Sequence, residues 1–267
     1  MKKIVSLVVA ALVMCSCADS FLSEEPVGEF MPEQVESEEN IEGILIGAYA
    51  VLDGYYASDA INSGCSNWQF GDVVSDDAYK GGGGTGDQNQ IHLMEIFNAN
   101  PTGIDFEARW AALYEGVKRC NQAIRLLSNS TVKNKEQRLA EMRFLRGHYY
   151  FNLKVIYNLI PWIDETVVDP NEYHTKSNME FTSDQLWEKI LGEFSAAYQV
   201  LPESQSDYGR PTKMAAKAYM AKVYLYQSKW KECLSACDEV IQSGKYTLYP
   251  DFREVFLPEN DNNSEII

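Results

Sequence analysis

Apolar positions recur every three to four residues through most of the chain, the spacing of helices that bury one face. Ile41, Leu45, Ala48, Leu52 and Tyr55 form a first stripe. From Asp105 onward, Phe106, Trp110, Leu113, Val117, Cys120, Ile124 and Leu127 alternate in steps of four and three, the cleanest amphipathic pattern present. A polar turn at 128–135 leads to a predicted helix from about Glu136 to Asn158. Ala140, Phe144, Gly147, Phe151 and Val155 line one face of it, and Leu145, Tyr149, Leu153 and Ile156 line another. Two apolar faces predict burial on both sides. Pro161 ends this helix, and a loop over 160–181 follows. Thr182 with Gln185 forms a capping-box signature. The helix it opens carries Leu186, Ile190, Phe194, Ala197 and Leu201 on one stripe, and Pro202 stops it.

Residues 212–227 and 230–243 read as helix, tight turn, helix. Met220, Ala221 and Tyr224 fall at first-helix positions of a tetratricopeptide unit, and Trp230 opens the second helix. Cys233 and Val240 stand where that repeat needs small or apolar residues, so that two backbones can approach closely. The pair over 105–158 is then a degenerate copy. The expected fold class is all-α: a tetratricopeptide-like helical-repeat scaffold over residues 33–267, with a few strands near 245–249 and 264–267. One stretch, 57–104, breaks the helical pattern with Gly81 to Gly84, Gly86, Pro101 and Gly103 among scattered Asp and Asn. An inserted loop region of that length is usually functional.

The N-terminus points to a compartment. Lys2 and Lys3 precede an apolar run, Ile4 to Met14, too short to span a bilayer, and Ser16 precedes Cys17. This is the form of a bacterial lipoprotein signal over residues 1–16, with Cys17 as the acylated mature N-terminus. A cut before Cys15 would place the bulky Met14 at the last signal position. Acyl chains contribute roughly 0.8 kcal/mol per buried methylene, so two or more hold a protein stably. Residues 17–32, acidic and carrying Pro26, Gly28 and Pro32, read as a tether.

Composition narrows the partners. Against 23 basic residues stand 39 acidic ones, a net charge of −16 that becomes −18 once Lys2 and Lys3 leave with the signal. A field of that sign repels phosphate backbones and excludes nucleic acid as a partner. Aromatic residues are abundant, with 16 Tyr and 5 Trp. Such rings serve helix–helix packing or, with their flat faces, the C–H face of a sugar. Cys65, Cys120, Cys233 and Cys237 match no zinc spacing, and the last two read as small residues on a helix face.

Within the inserted region, Ser66-Asn67-Trp68-Gln69-Phe70 is the leading sugar-contact candidate. Trp68 belongs to no helical stripe; the competing reading is that it plugs the loop onto the scaffold. Asp72, Asp76, Asp77 and Asp87 lie close together in sequence. Paired carboxylates serve glycoside hydrolysis or hold calcium, and more often form turns and caps. No second acidic motif accompanies them, so no catalytic residue, metal or cofactor is assigned. Gly81 to Gly84 lacks the Lys-Ser/Thr of a phosphate loop and follows no strand. His92, His148 and His174 have no companion at metal-ligand spacing.

Several segments resemble one family. They are Gly71-Asp72-Val73-Val74-Ser75-Asp76-Asp77-Ala78-Tyr79, Trp110-Ala111-Ala112-Leu113-Tyr114, and Ala140 to Phe151 running on to Ile160-Pro161. Ala221 to Tyr226 and Ser243-Gly244-Lys245-Tyr246 continue the series in order. With the lipoprotein signal, the set resembles the SusD/RagB family of outer-membrane glycan-binding lipoproteins. That resemblance implies a tetratricopeptide-like scaffold without catalytic activity. It also implies surface exposure on a lipid-anchored outer-membrane protein and capture of oligosaccharide for a SusC-like TonB-dependent transporter, on which the protein sits as a lid. Family members are about twice this long, and an apolar strand starts at Ser264-Glu265-Ile266-Ile267, so an N-terminal portion of a longer protein is expected. The candidate ligand-binding residues are Trp68, Asn67, Asp76, Asp77 and Tyr79, the last three from a segment that carries the resemblance. A helical-repeat adaptor that binds a protein and no sugar is the alternative from a different class.

Overall fold

The structure, a computed structural model, describes residues 37–53, 68–75, 77–261 and 263–267. The signal, Cys17, the tether, Cys65, Asn67 and Asp76 lie outside the described residues. Helix α1, Glu38–Tyr49, starts at Ser37, whose hydroxyl accepts from the Asn40 amide at 3.2 Å. Glu38 and Glu39 in its first turn favour the positive end of the helix. Ile41, Leu45 and Ala48 are buried from this helix.

The scaffold follows as α2 (Asn89–Glu95), α3 (Ile104–Asn129), α4 (Lys135–Tyr157), α5 (Ser183–Val200), α6 (Lys213–Tyr226) and α7 (Trp230–Gln242). Each of α3 to α7 packs on its neighbours in chain order, and α1 packs on α3 and α4. Short turns join α3 to α4 and α6 to α7, which makes both pairs antiparallel. The described residues contain no strand. The strands expected near 245–249 and 264–267 reduce to one backbone bond, Thr247 N–H to Ser264 carbonyl at 2.9 Å. A single bond without continuation is no ladder.

Helix α4 is the centre of the stack. Both predicted faces are buried, through Ala140, Phe144 and Phe151 on one and Leu145, Tyr149 and Leu153 on the other; Val155 departs from this and is exposed. Two glycines permit the close packing. A Cβ on Gly116 of α3 would stand 2.6 Å from the Tyr149 ring, and one on Gly147 would stand 3.0 Å from Phe194 of α5. The Thr182–Gln185 capping box forms as expected, with Gln185 N–H donating to the Thr182 hydroxyl and Thr182 N–H to Gln185 Oε1.

Charged groups also enter this core. Arg146 of α4, fully buried, donates Nε and Nη2 to Glu193 of α5 at 3.1 and 2.8 Å. Its Nη1 donates to Asn121 Oδ1 at 2.8 Å and to Glu165. Burial opposes a charge on Arg146, but Glu193 and Glu165 outweigh it and raise its pKa. Arg210 plays a similar part nearer the surface, bridging Glu141, Glu42 and Asp207. Through that bridge the loop before α6 is tied to α1 and α4.

Candidate functional site

The segment after the first helix is held to the scaffold from its own middle. Trp68–Asp72 forms a π-helical turn, closed by Val73 N–H donating to the Trp68 carbonyl at 2.8 Å. Within it Phe70 meets Phe106 of α3 edge-on, ring centroids 5.6 Å apart, and the Arg109 guanidinium stands 5.5 Å from the centre of the Phe70 ring. Gln69 and Val73 are buried, and Gln69 Nε2 has no hydrogen-bond partner among the described residues. Anchoring by Phe70, Gln69 and Val73 leaves Trp68 free of the packing duty, and it is 36% exposed.

The Asp72 carbonyl then turns the chain. It accepts from Ser75 N–H, from the Ser75 hydroxyl at 2.9 Å and from Ala78 N–H at 3.2 Å. Ser75 Oγ in turn accepts from Asp77 N–H at 3.2 Å. Asp77 is exposed. Tyr79 follows, 75% exposed on the same segment. Of the five candidate ligand-binding residues, Trp68, Asp77 and Tyr79 thus stand on one anchored turn and its exit, Tyr79 and Asp77 exposed and Trp68 partly so. Asn67 and Asp76 lie outside the described residues.

A lysine staples the glycine-rich loop that comes next. Lys80 is buried, and its ammonium donates to the carbonyls of Gly84, at 3.0 Å, and of Asp87. The Asp87 carboxylate accepts from Gly83 N–H at 2.9 Å. Gly81, Gly82 and Gly84 all have positive φ. At Gly82 a side chain would also collide with the Asp87 carboxylate, so this position admits only glycine. The loop therefore wraps an internal cation and is no phosphate cradle. The chain closes on α2 through Lys80 N–H donating to Glu95 Oε1 at 3.3 Å.

Helix α2 lies inside the stretch read as non-helical. No capping residue announces it: Gln88, its N-cap, is left-handed with φ 48° and gives no side-chain cap. Burial of Ile91 and Met94 holds it. Just beyond it, Phe97 has φ 54° and is 82% exposed. This exposed ring on the same inserted stretch is a feature that periodicity missed. A lone aromatic between an Ile and an Asn carries no sequence signal of its exposure.

Asp72 and Asp77 are exposed carboxylates. His148, read from sequence as a packed residue, accepts at Nε2 from Asn152 and meets the Tyr219 hydroxyl at Nδ1, 2.6 Å away. Burial, then the nearby Arg109 and Lys222, press its pKa down to about 4. No group of His, Cys, Asp and Glu among the described residues is arranged to hold a metal ion. Cys120 is buried and its thiol pushed up by burial, while Cys233 and Cys237 are free and half-buried on α7. Aromatic rings on an anchored, solvent-facing segment, with polar groups beside them, suit binding of a hydroxylated ring.

Comparison with known proteins agrees in sequence and in fold. A profile of a SusD-like family, described as starch-binding associating with outer membrane, matches residues 20–225. SusD-like protein P25 of Formosa agariphila is 23% identical over 99% of this chain and 51% of its own length. A SusD-like protein of Bacteroides ovatus is 24% identical over 98% of this chain and 48% of its own. Among solved structures, a laminarin-binding SusD-like protein superposes with a TM-score of 0.74 at 26% identity, covering 86% of this chain and 50% of that one. Surface glycan-binding protein A of Bacteroides thetaiotaomicron, in complex with laminarihexaose, gives 0.71 at 29% identity over 86% and 48%. The chain spans about half the length of the relatives it matches.

Proposed function

This chain belongs to the SusD-like family, and from that premise we propose that it captures oligosaccharide at the cell surface for import through a SusC-like TonB-dependent transporter. In this reading Cys17 carries the lipid that holds the protein on the outer membrane. The protein binds and delivers; it does not cleave. The observation that carries the proposal is that Phe70 is clamped on Phe106 while Trp68 stays partly and Tyr79 largely exposed on the same segment. Leaving such rings exposed costs hydrophobic stabilisation that burial would give, so a ligand that covers them recovers it. Exposed Asp77 supplies a polar partner for hydroxyls on that segment, and Asn67 and Asp76 are further candidates from the sequence alone.

Calorimetric titration of the protein with a panel of plant, host and microbial oligosaccharides tests this, with laminarihexaose first because a solved relative holds it. Binding is expected, and Trp68→Ala weakens it about tenfold, the loss of one stacked ring at about 1.4 kcal/mol. Absence of binding across the panel, or new reducing ends appearing on incubation, would overturn the reading. The transporter and the anchor are tested in cells: the protein is expected to co-purify with an outer-membrane transporter, and Cys17→Ala to release it from the membrane.

One feature favours a second reading, a partner-binding adaptor without sugar. Leu225, Trp230, Leu234 and Ile241 of α6 and α7 are exposed apolar residues. Under that reading Trp68→Ala leaves every interaction intact, and Trp230→Ala or Leu234→Ala dissolves the transporter complex.

A further inference from the structure

Beyond Asn158, whose φ of 62° ends α4, the chain returns across α3 and lines an open cavity of about 340 Å³. Its walls include Trp110 and Tyr114 of α3 with Pro161, Ile163 and Tyr173 of the returning segment. Side chains bonded to backbone fix that segment in place. The Tyr114 hydroxyl donates to the Pro161 carbonyl at 2.7 Å, and Asn121 Nδ2 to the Ile163 carbonyl at 2.9 Å. Tyr150 clamps Ile163 twice, accepting from its N–H at 2.7 Å and donating to its carbonyl at 2.6 Å. A site whose walls are bonded beforehand loses little entropy when a ligand enters.

The wall chemistry is specific. Trp110 is oriented by two rings, Tyr114 at 4.8 Å and Tyr157 edge-on at 4.9 Å, and stays half-exposed. Its indole N–H and the Tyr173 hydroxyl make no hydrogen bond to any described residue. At the rim Glu115 is held by Arg119 at 2.9 Å and reached by Lys118 only at 3.9 Å, so the Lys118 ammonium is left as an exposed donor. Aromatic faces, two available polar groups and an ammonium donor at the rim together suit a hydroxylated ring.

Phe106 adds continuity. It stands four residues before Trp110, on the same face of α3 and about 6 Å away along the helix, and it is the ring on which Phe70 is clamped. The cavity therefore neighbours the anchor of the segment that bears Trp68. We infer that the Trp110–Tyr173 cavity is an additional subsite for one pyranose of the captured oligosaccharide, a role resting on the sugar-binding reading above.

Titration of the full chain with laminarihexaose, and with the other panel oligosaccharides, tests the subsite. Tyr173→Ala removes the ring at the end of the one-turn helix Pro170–Tyr173, and Lys118→Ala removes a rim group. Each is expected to keep the wild-type melting curve and to weaken binding about fivefold, equal to about 1 kcal/mol. The indole N–H resonance of Trp110, assigned with Trp110→Phe, is expected to shift as sugar is added. If Trp68→Ala loses binding while Tyr173→Ala, Lys118→Ala and the Trp110 resonance are all unmoved, the subsite is overturned and the sugar-binding reading stands. If no oligosaccharide binds the wild-type chain, both fall.

Discussion

Replacing Arg146 with Met is expected to cost more than most single changes in this protein. The guanidinium sits in the core with a bidentate contact to Glu193, 2.8 and 3.1 Å, and further bonds to Asn121 and Glu165. Only 2% of the Arg146 side chain and 8% of the Glu193 side chain reach solvent. Without Arg146, Glu193 becomes a buried carboxylate with no strong counter-charge, because Arg143 reaches it only at 4.0 Å. Removal of one member of a buried pair costs about 3–5 kcal/mol. Against a total stability of about 5–15 kcal/mol, that is a large share. With a urea slope of about 2–3 kcal/mol per molar, the unfolding midpoint should fall by about 1–2 M.

Glu193→Leu is expected to be milder, since Arg146 keeps Glu165 and Asn121. The double variant Arg146→Met/Glu193→Leu should be milder than Arg146→Met alone. There the two buried charges vanish together, and Glu165, 27% exposed, can turn to water. Far-UV circular dichroism along urea titrations at neutral pH gives all four corners of the cycle. A coupling of at least about 2 kcal/mol is expected for groups in direct contact. Additive single costs, or an Arg146→Met cost below about 1 kcal/mol, would refute the claim that this ion cluster is energetically a unit.

Three further outcomes follow from the same packing. Gly116→Ala gains about 1 kcal/mol of helix propensity but drives a methyl into the Tyr149 ring, which its hydroxyl pins to the Ala48 carbonyl at 2.7 Å. A net loss of about 1–2 kcal/mol is expected from overpacking, read by thermal unfolding; a stabilised variant would contradict it. His148 is held neutral with its pKa near 4, below the ordinary 6.5, so the unfolded chain takes up a proton that the folded chain refuses. Its contribution is intact above pH 6.5 and is lost as pH falls toward 4, by up to about 3 kcal/mol. His148→Phe should flatten stability across that window, and an unchanged slope would remove His148 as the cause. Lys80→Met strips the ammonium from the carbonyls of Gly84 and Asp87, bonds worth about 1.5–3 kcal/mol when charge-assisted. Faster amide exchange confined to residues 81–88, with unchanged helix content, is the expected result; protection equal to wild type would count against the staple.

Long helices were legible because their apolar periods are long. The stripe from Leu113 to Leu127 is buried as predicted, and the capping box at Thr182 forms atom for atom. Helix α2 was not legible, because seven residues opened by a left-handed Gln88 carry too short a period and no cap. Buried charges escaped for a different reason. Arg109, Arg146, Glu141 and Glu193 read as surface letters, yet each is buried. Arg146 finds its partners 19, 25 and 47 positions away, and no local pattern encodes that distance. Within the candidate site, Trp68 stood out by belonging to no stripe. Phe97 and the Trp110–Tyr173 cavity did not, since a half-exposed Trp110 looks like any other member of its helical stripe.

What the sequence determined by itself was the local half of this protein: the positions of the long helices, their apolar faces and the glycine-rich interruption. Those features depend on neighbours a few residues away, which composition and spacing specify directly. Tertiary structure alone decided which rings remain in solvent, which charges are buried as partners, and how the returning segment at 160–173 closes over α3. Each of those depends on groups brought together from distant parts of the chain, and only the packing of whole helices fixes such meetings.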